Sequence, residues 1–203
     1  MGATFDVKFE NRKNLNFGEL TEGLNKLGFD TFIKYGERLN FKDGSDVIYI
    51  SEEKMFRLSI SWSTLLAYQQ PVDWNNPIVK VNTDFLKKWN KIVVSMMKVT
   101  GSKVAIALHE ALQMCHGFDV GAEALHGIYY EKIEDILPIV RKSIKISFNK
   151  NLGNTEVKKI IEKSICIQER IGTINFNFFW CADLPKRTLK NKLLEVVEER
   201  VVR

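Results

Sequence analysis

The sequence predicts an α+β fold: a mixed or antiparallel sheet built from about three strand-helix-strand units, with helices packed on one face and a division into two related halves as its extension. Three observations predict it. Apolar residues alternate with polar ones over Ala3 to Phe9, Ile144 to Phe148 and Thr173 to Trp180, the period of a strand. A 3.6-residue apolar stripe runs from Asp84 to Val99, the period of a helix. Glycine and asparagine separate these segments, and no residue-level repeat accompanies their recurrence.

In chain order, Phe5, Val7 and Phe9 face one way and Thr4, Asp6 and Lys8 the other, as in a strand with one buried face. Asn14 or Asn16 can cap a helix carrying Leu15, Leu20, Leu24 and Leu27, which Gly28 ends. A meander of β-prone segments follows at Thr31 to Tyr35, Arg38 to Phe41, Val47 to Ile50 and Met55 to Trp62, with Asp43-Gly44 as a hairpin signal. The stretch 69–77, with Pro71, Asn75, Asn76 and Pro77, cannot continue either regular structure. The 203 residues therefore read as a single compact unit over 1–203, with any sub-boundary at 69–77.

The Asp84 to Val99 helix places Phe85, Leu86, Trp89, Ile92, Val93, Met96 and Met97 on the core side and Lys87, Lys88, Lys91, Ser95 and Lys98 on the other, with Gly101 as its stop. Val104 to Leu108 reads as a strand buried on both faces, with a helix from Lys103 to His116 as the competing reading. Ile128 to Val140 suggests a helix disturbed by Pro138, and Ile144 to Phe148 a strand. A helix from Asn154 or Thr155 to Ile171, a strand over Thr173 to Trp180 and a helix from Pro185 to Val202 complete the chain.

The three cysteines, Cys115, Cys166 and Cys181, are an odd set without C-x-x-C spacing, which fits reduced thiols. With no secretory leader and no apolar run of membrane-spanning length, the expected location is cytoplasmic, with no membrane partner. The net charge of +5 does not demand nucleic acid, but its distribution is uneven. Six lysines stand against Asp84 between Lys80 and Lys103; six acids stand against Lys132 between Val104 and Asp135; twelve basic residues stand against four acids between Arg141 and Lys192. Opposite blocks of this kind attract one another across a folded surface or form a bipolar binding face.

His109, His116 and His126 are the candidate metal ligands, because imidazole beside carboxylate is a usual donor set for a divalent metal. Their spacing matches no ligand motif: Gln113 stands where the helical zinc-protease pattern needs histidine. No phosphate-cradling glycine loop and no aromatic RNA-binding signature is present. The chain therefore reads as a non-catalytic, inhibitor-like interaction or regulatory protein without a cofactor, which binds another protein through a charged surface. Its candidate contacts are Lys87, Lys88, Lys91, Lys98, Glu110, Asp119 and Glu123. The alternatives are a metal-assisted hydrolase using the 109–126 histidines and acids, and a backbone-type nucleic-acid binder using the lysine faces.

Overall fold

Among the described residues, the opening strand becomes the middle of a nine-stranded sheet. The computed structural model describes residues 4–34, 38–42, 45–61, 83–109, 118–119, 121, 125–164 and 167–178. The strands are β1 (Thr4–Glu10), β2 (Thr31–Lys34), β3 (Arg38–Phe41), β4 (Asp46–Ile50), β5 (Met55–Ser61), β6 (Val104–His109), β7 (Leu125–Tyr130), β8 (Ile167–Ile171) and β9 (Ile174–Phe178). The helices among the described residues are α1 (Phe17–Lys26), α2 (Thr83–Thr100), α3 (Ile133–Phe148) and α4 (Asn154–Ser164). The sheet order is β2-β3-β4-β5-β1-β6-β7-β9-β8, and every neighbouring pair is antiparallel.

Both faces of the sheet carry helices, which corrects the expectation of one. On the first face Val7, Phe9, Leu39, Val47, Phe56, Leu58, Ala105 and Ala107 pack with Leu20 and Leu24 of α1 and with Trp89, Ile92, Val93, Met96 and Met97 of α2. On the second, Val104, Ile106, Leu108, Leu125, Ile128 and Tyr130 pack with Ile136, Leu137, Val140 and Ile144 of α3 and Val157, Ile160 and Ile161 of α4. Chain direction accounts for the change of face. The connections carrying α1, α2 and the α3–α4 pair each join two strands that run the same way but are not neighbours. Crossovers of this type keep one hand. The second and third travel in the same lateral direction from strands of opposite sense, so one hand puts their helices on opposite faces.

Local chemistry explains the elements that match expectation. Asn16 caps α1: its side chain accepts from Glu19 N at 3.0 Å while the Glu19 carboxylate accepts from Asn16 N at 2.8 Å. Gly28 follows with φ +85°, and Gly101 ends α2 with φ +74°. Tyr129 Oη donates to Asn90 Oδ1 at 2.7 Å, tying β7 to α2 inside the core. Val104 to Leu108 are buried on both faces within the strand Val104–His109, which is not helix.

Three segments differ. Residues 128–130 end the strand Leu125–Tyr130 and do not start a helix, and α3 begins at Ile133, where Asp135 accepts from Lys132 N at 3.3 Å. Ile144 to Phe148 is the last part of α3 instead of a strand: Ile144 is fully buried while Ile146 is 52% exposed, so the apparent alternation is one side of a helical stripe. The third strand-helix-strand unit is therefore not formed as read. Pro138, exposed at the sixth residue of α3, forfeits only the bond to the Glu134 carbonyl and does not break the helix. Finally, α4 stops at Ser164, and Ile167–Ile171 pairs with β9 through Gly172-Thr173, with Gly172 at φ +63° in the first central position of a two-residue hairpin. Pairing along a sheet edge has overridden the helical pattern there.

The 69–77 stretch, the Asp43-Gly44 pair, the 185–202 helix and the three cysteines lie outside the described residues.

Gly23 is a packing requirement of α1. A Cβ placed there would stand 2.6 Å from Val99 Cγ1 of α2. Gly23→Ala is expected to cost about 1–3 kcal/mol from overpacking, more than the helix-propensity gain of up to about 1 kcal/mol. Urea unfolding checks this, and in a Val99→Ala background the same change should become stabilising.

Candidate functional site

Strand periodicity places a second set of residues on the second face, beyond the reach of α3 and α4. Where β6 presents Ile106 and Leu108, the neighbouring β1 presents Lys8 and Asp6, and the row continues across β5, β4 and β3. One register line reads Asp6, Ser59, Asp46, Asn40; the next reads Lys8, Arg57, Ile48, Arg38. With strands about 4.8 Å apart, each line spans roughly 14 Å. Lys8 and Asp6 are 4% and 5% exposed, so the layer is withdrawn from water at β1, while the Arg38 side chain at its β3 end is 60% exposed.

Within it, Lys8 Nζ donates to Glu53 Oε2 at 2.9 Å, Arg38 Nη1 lies 3.5 Å from Asp46 Oδ2, and Arg57 Nε lies 3.8 Å from Asp6 Oδ2. Three acids meet three cations, so the layer is neutral overall. Asp6 Oδ1, Asn40 Oδ1 and Arg57 Nε are buried without a hydrogen-bond partner. Each such group costs about 1–3 kcal/mol. Burial pushes the Asp46 carboxyl above the ordinary carboxylate range; Arg38 and Arg57 oppose the rise, and the Asp6 charge adds to it.

The sign of that shift gives a prediction. A folded-state carboxyl pKa above the unfolded value means that the ionised form is penalised by folding, so its contribution improves as pH falls through the raised pKa and levels off below the ordinary value of about 3.9. Asp46→Asn removes the titration. The variant is expected to be more stable than the parent at pH 7, with the difference closing on acidification, as read by thermal unfolding across pH 3–7. A variant less stable at pH 7 would show that the arginine pairs outweigh burial.

The histidines proposed as metal ligands are partly placed. His109 ends β6 opposite Phe5, and His126 lies in β7 between Leu125 and Gly127, where the pairing register shifts. Their backbones thus flank the Leu108–Leu125 pair on adjacent strands. His116, Glu110 and Glu123 lie outside the described residues, among which no three His, Cys, Asp or Glu side chains group to hold a metal.

Lys87, Lys88, Lys91 and Lys98 are exposed on α2. Lys91 Nζ sits 5.7 Å from the centroid of the Phe29 ring, and the Lys98 carbonyl accepts from Lys13 Nζ at 3.0 Å. Asp119, from the acidic segment, accepts from Lys142 Nζ at 2.5 Å, so at this point the acidic and basic blocks do meet.

Lys142 also lines an open groove of about 520 Å³, formed by Pro138, Arg141, Lys142 and Lys145 of α3 with Asn151 and Leu152 of the turn that follows. That turn is set by Asn149, at φ +53°, whose N–H donates to the Lys145 carbonyl at 2.9 Å, and by Gly153 N donating to Glu156 Oε2 at 2.8 Å. Arg141 is steadied by Asn154 Oδ1 at 3.3 Å. Three cations surround a floor of Pro138 and Leu152, an arrangement suited to an acidic segment that also carries an apolar side chain.

Sequence reasoning missed both features. The groove needs one continuous helix through Phe148, where the sequence suggests a helix to Val140 and then a strand, and it needs the 149–153 turn to fold back on that helix. The charged layer needs the register of four strands, since Asp6 and Lys8 taken alone look like the solvent side of one.

Fold and sites define an α+β protein with an antiparallel sheet, helices on both faces, a charged layer buried at its β1 end and a basic groove. Compared with protein-family models, curated proteins and solved structures, the chain matches none.

Proposed function

We propose that the protein is a non-catalytic cytoplasmic interaction protein, inhibitor-like or regulatory, which engages another protein through its charged surface, and that the partner presents an acidic segment to the groove beside α3. The observation that carries this reading is the grouping of Arg141, Lys142 and Lys145 around an apolar floor, with the Asp119 carboxylate already seated on one of the three. A carboxylate of the chain itself marks the chemistry the groove accepts. Lys87, Lys88, Lys91 and Lys98, exposed on α2 across the sheet from the groove, add positive charge that steers an acidic partner toward the protein. Among the described residues no helix is long and apolar enough to cross a membrane.

The test uses a labelled peptide of alternating glutamate and leucine, followed by fluorescence anisotropy. Arg141→Glu with Lys145→Glu is expected to weaken binding by at least about tenfold, since like charges replace complementary ones. Asp119→Asn is expected to strengthen it by freeing Lys142. Binding indifferent to the double reversal contradicts the proposal.

A second reading, metal-assisted hydrolysis, draws on the placement of His109 and His126 beside one strand pair. Metal analysis of protein purified without an affinity tag tests it: a stoichiometric divalent ion, lost in a His109→Ala, His126→Ala variant, is its required outcome.

A further inference from the structure

Among the described residues, β2 ends the sheet, paired with β3 on one side only. Natural edge strands are normally protected by charge, proline, a bulge or a covering element. This one instead carries exposed apolar residues: Phe32 is 53% exposed and Ile33 42%, with Leu27, at the end of α1, also 42% exposed. The two β2 residues point to opposite faces. Phe32 stands beside Asn40 on the second face and Ile33 beside Leu39 on the first, so neither helix layer can cover both.

We propose that β2 pairs with β2 of a second copy of this chain, antiparallel about a two-fold axis through Phe32, joining two sheets into one. Strand geometry and charge select that register. When a sheet continues across a two-fold axis, directly opposed residues must lie on the same face, which restricts the axis to a residue position and not to a point between residues. An axis at Thr31 sets Asp30 against the partner's Phe32 and Lys34 against the partner's Gly28. One at Ile33 sets Phe32 against the partner's Lys34. Only the axis at Phe32 is complementary throughout: Phe32 meets the partner's Phe32, Ile33 meets the partner's Thr31, and Lys34 meets the partner's Asp30, the last two occurring twice by symmetry.

Aromatic pairs and opposite charges are the favourable cross-strand combinations, and like charges the unfavourable one. Asp30 is available for exchange. Its ion pair with Lys42, at 3.4 Å, has both side chains more than 70% exposed and so constrains it weakly. Ile33 would add its exposed surface on the first face, the side that carries α1, so the contact is apolar on both sides of the sheet and charged at its two ends.

Sedimentation equilibrium of the full chain tests this, with circular dichroism to confirm that each variant stays folded; Phe32 and Lys34 are exposed, so the monomer fold should tolerate their replacement. The wild type is expected to be a dimer at tens of micromolar, and Phe32→Lys a monomer. Lys34→Asp alone should raise the dissociation constant about fivefold or more, because each end then opposes two aspartates. Asp30→Lys combined with Lys34→Asp should restore it. A wild type that is monomeric, a Phe32→Lys protein that still dimerises, or a charge swap that fails to restore dimerisation each overturns the proposal.

Discussion

Replacing Lys8 by methionine is expected to cost about 3–5 kcal/mol, the loss typical of removing one partner from a buried ion pair. Lys8 is 4% exposed, and its Nζ lies 2.9 Å from Glu53 Oε2, whose side chain is 11% exposed. The cost arises from the group left behind. Once the ammonium is gone, the Glu53 carboxylate keeps its desolvation and loses the cation 2.9 Å away, in a layer that then holds three acids against two cations. Lys8→Met combined with Glu53→Leu should therefore recover most of the loss, since replacing both members of such a pair by apolar groups is often neutral or better. Urea denaturation of the two variants separates the cases. A single variant that loses less than about 1 kcal/mol would mean that water reaches the pair freely.

Ile106→Ala is expected to cost about 2–5 kcal/mol, with Ala107→Leu, one residue along, costing about 1–3 kcal/mol for the opposite reason. Both residues are essentially fully buried, but they face different layers. Ile106 belongs to the core beneath α3 and α4, where removing three carbons leaves a cavity. Ala107 belongs to the core beneath α1 and α2, where, at 1% exposed, it shares a closed layer with large side chains such as Trp89 and Met96 and a leucine must displace neighbours. Paired losses at adjacent positions are the signature of a strand buried on both sides. If either variant were neutral under denaturant, one layer would not close over β6.

These residues also show how far the sequence could be read. The uniformly apolar Val104 to Leu108 announced burial on two faces, and an asparagine cap at Asn14 or Asn16 and the Gly101 stop announced the start of α1 and the end of α2, because each is a local signal. The face taken by each helix was not local. It depends on which strands the connection joins and in what sense they run, and Ile167 to Ile171 became strand only through pairing with β9. Of the candidate contacts, the lysines of α2 are where periodicity put them, on its exposed side. Asp6 and Lys8 were misjudged because alternation gives the side of a strand and not what covers that side. Asp119, a candidate contact, is exposed and ion-paired, and its partner Lys142 can be found only in the fold.

The central functional proposal is that the basic groove recognises an acidic protein segment and not a nucleic-acid backbone. A direct competition measures this: a labelled acidic, leucine-containing peptide held on the protein is displaced by unlabelled peptide or by a single-stranded oligonucleotide of equal charge, at near-physiological salt. The apolar floor of Pro138 and Leu152 favours the peptide, so it is predicted to compete at least about tenfold more strongly, with the preference abolished by Arg141→Glu, Lys145→Glu. An oligonucleotide that competes more strongly, with an affinity that falls steeply as salt rises, would contradict the proposal and point instead to binding of phosphates by the lysine faces.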